Sequence, residues 1–152
     1  MTEILNVVAV VFAGLIVGNE FAIAAFVHPT LNRLEDRAHL SAASALALLL
    51  GGVMPFGYGL VLLLISAAGC VRWHQSDHLP RWIAASAILW VLAIVYSITI
   101  EVPINNRVAS WTKSSPPAEW KTLRDKWDLH HRCRVALLTI AFAFLTMGVI
   151  TR

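Results

Sequence analysis

Residues 4–27 read ILNVVAVVFAGLIVGNEFAIAAFV. As a helix rising 1.5 Å per residue, this run covers about 36 Å, enough to cross a hydrocarbon core about 30 Å thick. Asn19 and Glu20 interrupt its apolar character near the end, and His28-Pro29 is expected to close the helix. Glu3 is the only charge before it, so a cleavable signal peptide with a basic leader is not expected, and the run reads as a retained span. Gly14-x-x-x-Gly18, with Ala22 one turn further on, lets a neighbouring helix approach closely. Packing inside the monomer is the first expectation there, and a homo-oligomer contact through Gly14 and Gly18 is the second.

Working outward, three more runs have the same character. The second covers about residues 41–71, with Gly51, Gly52, Pro55, Gly57 and Gly59 at its middle and a kink expected at Pro55. The third covers about 82–100 and leaves through Glu101-Val102-Pro103-Ile104-Asn105-Asn106-Arg107. The fourth, 135–150, is short and continues without a breaker from a segment with helical spacing: Trp120, Leu123, Trp127, His130 or His131, Arg134. Ser115 with Pro116 can cap that segment. The expected fold is therefore all-α: one domain over residues 1–152, an up-down-up-down four-helix membrane bundle with its fourth helix extended beyond the bilayer.

Composition agrees. Hydrophobic residues make up 58% of the 152 and charged residues 14%, against about a quarter charged in an ordinary soluble domain. The net charge of +3 reads as basic loops against anionic lipid rather than nucleic-acid binding. The N-terminal, second-loop and C-terminal side carries Arg72, Arg81 and Arg152. The first and third loops carry Arg33, Arg37, Arg107, Lys113, Lys121, Arg124, Lys126, Arg132 and Arg134. The positive-inside rule then predicts those two loops in the cytoplasm and both termini outside, in a bacterial plasma membrane. Cys70 and Cys133 fall at opposite membrane faces in this topology, too far apart for a disulfide.

The same topology gathers the polar residues. Glu20, Glu101, Asn105, Asn106, His130, His131 and Arg134 all fall in one leaflet, on the side of the first and third loops. A carboxylate inside a span costs several kcal/mol unless it faces the bundle interior and finds a partner. Glu20 is thus expected to point inward, either to a structural ion pair with Arg134 or a histidine, or into a catalytic or ligand pocket. Glu20, Glu101, His130 and His131 are the candidate metal ligands, and copper or iron would suit that donor set. The spacing supports this weakly. Adjacent histidines on a helix point about 100° apart, and Glu20 and His28 are about 12 Å apart along an unbroken helix. Trp111 and Trp120 are expected as interfacial anchors, and Trp127 as an anchor or part of a substrate mouth. His74 and His78 read as solvated loop residues, and Tyr58 and Tyr96 need partners without being diagnostic.

Taken together, these elements resemble the anthrone-oxygenase-like family of four-span membrane proteins. The match is carried by a glycine-bearing first span ending His28-Pro29-Thr30-Leu31, by Val102-Pro103-Ile104-Asn105-Asn106, and by Trp127-x-x-x-His131-x-x-Arg134 running into an apolar stretch. Members with an assigned activity oxidise anthrones to anthraquinones. The resemblance implies dioxygen as co-substrate and a small hydrophobic aromatic or phenolic substrate. For such a substrate the residues' own chemistry makes His131 the expected base, since histidine titrates near neutral pH, Arg134 one turn away the oxyanion partner, and Asn105 or Asn106 the group that orients the ring oxygen. Glu20 joins them on the burial argument alone. Glu101, Trp127, His130 and His28 complete the expected pocket, with no cofactor or a transition metal. The alternative is a non-catalytic membrane protein holding a metal, haem, quinone or lipid there. A transporter subunit is a third reading, weakened by the lack of a detectable repeat.

Overall fold

A computed structural model of the chain describes residues 2–76, 80–110 and 118–151. Trp111, Lys113, Ser115, Pro116, His78 and Arg152 lie outside the described residues. Four long helices, each long and apolar enough to cross a membrane, account for nearly all the rest: α1 (Thr2–Leu31), α2 (Asp36–Ser76), α3 (Arg81–Ser110) and α4 (Trp120–Ile150). They run alternately up and down. Gln75 near the end of α2 hydrogen-bonds Thr2 at the start of α1, Asn105 late in α3 reaches Ala47 early in α2, and Gly148 late in α4 abuts Ile83 early in α3.

The helices outrun the sequence boundaries. His28-Pro29 does not close α1, and Val102-Pro103 does not close α3; both helices continue, to Leu31 and Ser110. A π-helical turn precedes each proline, at Ile23–Val27 and Ser97–Glu101. In it the His28 N–H bonds the Ile23 carbonyl, and the Val102 N–H the Ser97 carbonyl. Proline lacks the N–H for the carbonyl four residues back and crowds it. The wider turn takes up one extra residue and lets the helix pass through that position. Pro55 likewise sits inside α2 without ending it. Nor is α4 alone in exceeding the bilayer. At 31 residues it is about 46 Å long, but α2, at 41 residues, is about 60 Å.

The apolar interior falls into two parts. The larger packs Ala9, Ala13 and Val17 of α1 against Tyr58, Val61 and Ile65 of α2, Trp90 of α3 and Leu138, Ala141 and Leu145 of α4. The alanines, one turn apart, let the helices close up. Gly14 takes part by meeting the Phe142 ring of α4, so at that residue the small face is used within the monomer, while Gly18 meets no neighbour within contact distance. The smaller part joins Ala43, Ala47, Val108 and Trp120. Trp120 is buried there with its ring edge-on to His39, not displayed at an interface as the sequence suggested. On the outside, Ile4, Phe56, Leu63, Ile88 and Ile150 are each more than 60% exposed, an apolar surface that only a lipid phase solvates well. The chain is an integral membrane protein, and between its two apolar clusters lies a layer of buried charge.

Candidate functional site

Arg134 is the hub of that layer. Its Nη2 donates to Glu20 Oε2 at 2.8 Å, and its Nη1 donates to Ser97 Oγ at 3.0 Å and meets Glu101 Oε2 at 2.5 Å. Tyr58 donates to the other Glu20 oxygen at 2.8 Å, and its ring lies beneath the guanidinium. One cation thus joins carboxylates from α1 and α3 to α4, and Tyr58 brings in α2. Glu20 and Glu101 are 1% and 2% exposed. Burial at that level is tolerable only because each carboxylate has its partner in place. Ser97 and Glu101 both reach Arg134 from the π turn of α3.

His131 is fully engaged. A guanidinium nitrogen can only donate, so the 2.9 Å contact from Arg134 Nη2 makes His131 Nδ1 an acceptor. The proton is thereby assigned to Nε2, which donates to the Glu20 backbone carbonyl at 3.2 Å. The ring stacks on Trp127 at 4.8 Å and 11°, and the Arg124 guanidinium lies over Trp127 at 4.9 Å from the ring centre. Positions 124, 127, 131 and 134 share one face of α4, so this stack is a direct product of helical period.

A second charged group lies beside the first. His28 Nδ1 is 3.1 Å from Asp128 Oδ1, which also accepts from Arg124 Nη2 at 3.0 Å. Asn32 donates to Asp128 Oδ2 at 3.4 Å. His28 packs edge-on to Trp127 at 4.8 Å and lies 5.1 Å from the His131 ring. The π turn explains how His28 and Glu20 both come to His131. In an unbroken α-helix, eight residues overshoot two full turns by about 80°. The extra residue in the π turn absorbs that excess and returns His28 to the face of Glu20.

These groups wall a cavity of about 320 Å³. Glu20, His28, Glu101 and Asn105 line it, as do Trp127, His131 and Arg134. Two expected site residues do not. Asn106 is exposed on the far side of α3. His130 turns away to hydrogen-bond the Tyr96 hydroxyl at 2.6 Å, because adjacent helical positions diverge by about 100°. Asn105 spends its amide on the Ala47 carbonyl at 3.1 Å, an approach that the missing side chain of Gly51 permits. The expected metal-ligand set does not assemble either. Among the described residues no three His, Cys, Asp or Glu side chains form a group able to hold a metal ion, and Arg134 occupies the space between the two carboxylates. The sequence reading passed over Arg124, Asp128 and Ser97, and left Tyr58 without a partner. Arg124 and Asp128 were within reach of it, as a charge pair at i,i+4 on the face of Trp127 and His131.

Away from the charges the cavity is apolar. Leu50, Met54 and Pro55 of α2 face Ile94, Ile98 and Val102 of α3. Gly51, Pro55 and Gly59 of α2, together with Ile98 and Val102 of α3, line the cavity and are solvent-accessible. These accessible residues of α2 and α3 mark the open side of the cavity.

Fold and site together define a class: a four-span membrane protein with a ligand-sized cavity, apolar at its mouth and charged at its base. The model of the family described as Anthrone oxygenase matches residues 51–144, more than half of the chain, and the chain belongs to that family. The matched segment contains Tyr58, Ser97, Glu101, Arg124, Trp127, Asp128, His131 and Arg134; Glu20 and His28 lie before it. No curated protein and no solved structure matched the chain.

Proposed function

We propose that the protein is a membrane oxygenase that takes a flat, electron-rich phenolic substrate from the bilayer and oxidises it with dioxygen. The observation that carries this reading is the cavity itself, within a chain of the anthrone oxygenase family. Its volume, about 320 Å³, is at the small end of the range for ligand sites and suits a compact polycyclic ring system. Its open side is lined by apolar residues of two spanning helices, which suits entry of such a substrate from lipid.

The chemistry follows from the substrate class. An anthrone-type ring system has an acidic C–H between aryl rings and conjugated to a carbonyl. Loss of that proton leaves the electron pair delocalised as an enolate. The enolate carbon bonds dioxygen, and the peroxide oxygen takes up a proton. The second C–H bond then breaks to a base, its electrons form the C=O bond, the O–O bond cleaves, and water leaves. One anthrone and one dioxygen give one quinone and one water. The chain's own residues supply a water-poor site and a fixed field. Arg134 has both terminal nitrogens committed to protein partners, so it acts on a developing enolate through its charge rather than through a new hydrogen bond.

Oxygen consumption and quinone formation by the purified protein in lipid nanodiscs test this reading. Protein-dependent turnover well above spontaneous oxidation, with one dioxygen used per quinone formed, is expected. Tight binding of anthrone or quinone with no oxygen uptake above the protein-free rate would instead favour a binding protein.

A further inference from the structure

Four groups around the cavity are candidates to accept the substrate's proton, and the geometry removes three. His131 has its Nδ1 lone pair on Arg134 and its Nε2 proton on the Glu20 carbonyl. Glu20 has one oxygen on Tyr58 and the other on Arg134. Glu101 meets Arg134 through Oε2, and although the residue lines the cavity, both its carboxylate oxygens are buried from solvent-sized contact, Oε1 without a hydrogen-bond partner. His28 remains. It lines the cavity, and its buried Nδ1 edge faces Asp128, which leaves the Nε2 edge for the cavity.

We infer that His28, backed by Asp128, is the base that removes the acidic proton of the substrate; this rests on the oxygenase reading above. A carboxylate at Nδ1 holds the proton on that nitrogen and presents the Nε2 lone pair to the substrate. The substrate C–H bond breaks heterolytically, with the proton going to His28 Nε2 and the electron pair to the enolate. The imidazolium formed is balanced by Asp128, whose position is fixed by Arg124 and Asn32. After dioxygen adds, His28 returns the proton to the peroxide oxygen. The His28–Asp128 contact is bent away from a straight hydrogen bond, since Nδ1 at 3.1 Å makes no aligned bond. Catalytic hydrogen bonds are often misaligned before substrate binds and tighten afterwards. Asp128 is then a positioning residue, and Trp127 and His131 hold the flanks of the imidazole.

Proton abstraction can be observed without oxidation. Purified protein, anthrone and D₂O under strictly anaerobic conditions give deuterium incorporation at the acidic carbon, read by mass spectrometry above the protein-free rate. The wild type is expected to exchange. His28→Gln is expected to lose about 10²–10⁴-fold of the protein-dependent rate, the usual contribution of a general base, while still binding anthraquinone, read by quenching of tryptophan fluorescence. His28→Ala, if folded, is expected to regain exchange with added imidazole, which a purely structural histidine would not allow. Asp128→Asn, which puts an amide at Nδ1, is expected to fall between wild type and His28→Gln. His28→Gln exchanging at the wild-type rate, or Glu101→Gln abolishing exchange while His28→Gln keeps it, overturns the inference and leaves the oxygenase reading standing. A wild type that neither exchanges nor turns over overturns both.

Discussion

Arg134 and Glu20 stand 114 positions apart in the chain and meet at 2.8 Å in the middle of the bundle. The pair fixes α4 against α1, and the same guanidinium fixes α4 against α3 through Glu101. Removing one partner of a buried ion pair leaves an uncompensated charge and costs about 3–5 kcal/mol. Arg134→Met is therefore expected to lower the unfolding temperature in detergent sharply. Arg134→Lys is expected to lose stability too, since an ammonium cannot hold four partners in a planar fork. An unchanged unfolding temperature in both variants would mean that the charged layer does not hold the bundle together.

His131 makes a different case. Its stacking on Trp127 is worth about 0.5–1.5 kcal/mol, and its two hydrogen bonds about as much again each. His131→Gln is expected to destabilise by about 1–3 kcal/mol and to slow deuterium exchange far less than His28→Gln does. Thermal unfolding and the anaerobic exchange assay check the two halves separately. Exchange abolished in His131→Gln, with His28→Gln active, would return the base role to His131.

The side opening of the cavity can be narrowed. A side chain at Gly59 meets no neighbouring atom within 4 Å, so Gly59→Ala is expected to be neutral or slightly stabilising, a helical glycine costing about 1 kcal/mol relative to alanine. Gly59→Trp puts a bulky ring at the mouth and is expected to raise KM for anthrone about tenfold or more while the unfolding temperature holds. The tenfold corresponds to about 1.4 kcal/mol of lost access or binding. At Gly51 the added carbon would sit 3.3 Å from the Asn105 amide, so Gly51→Ala is expected to disturb the Asn105–Ala47 bond. Unchanged KM in Gly59→Trp would place the route into the cavity elsewhere.

Orientation is a separate matter from fold. The excess of Lys and Arg in the first and third loops favours those loops in the cytoplasm. Alkaline phosphatase fused after Arg152 is expected to be active on the far side of the membrane, and a fluorescent protein fused there to stay dark. The reverse pattern would invert the topology.

Much of this was legible in the sequence. Three apolar runs of crossing length, and a shorter fourth that continues from a helical segment, mark the spans, and a carboxylate at position 20 inside one of them must face a partner. Helical period puts Trp127, His131 and Arg134 on one face of α4. What could not be read is how α1 and α3 pass their prolines. The local rule ends a helix near Pro29 and Pro103, but packing of both helices into the bundle overrides it, through the π turns at Ile23–Val27 and Ser97–Glu101. Missing those turns put Glu20 about two turns from its helix end instead of about three, and kept His28 away from His131. Arg124 reads from sequence only as a basic loop residue, and Asp128 beside it as part of the same polar face. Burial, which only the assembled bundle reveals, makes them part of the site.

Isotope labelling reaches the chemistry most directly. With ¹⁸O₂ and purified protein in nanodiscs, quinone is expected to form at a protein-dependent rate, with one ¹⁸O atom in each new carbonyl and the other in water. Quinone appearing no faster than without protein, or gaining its new oxygen from H₂¹⁸O instead of from dioxygen, would contradict it.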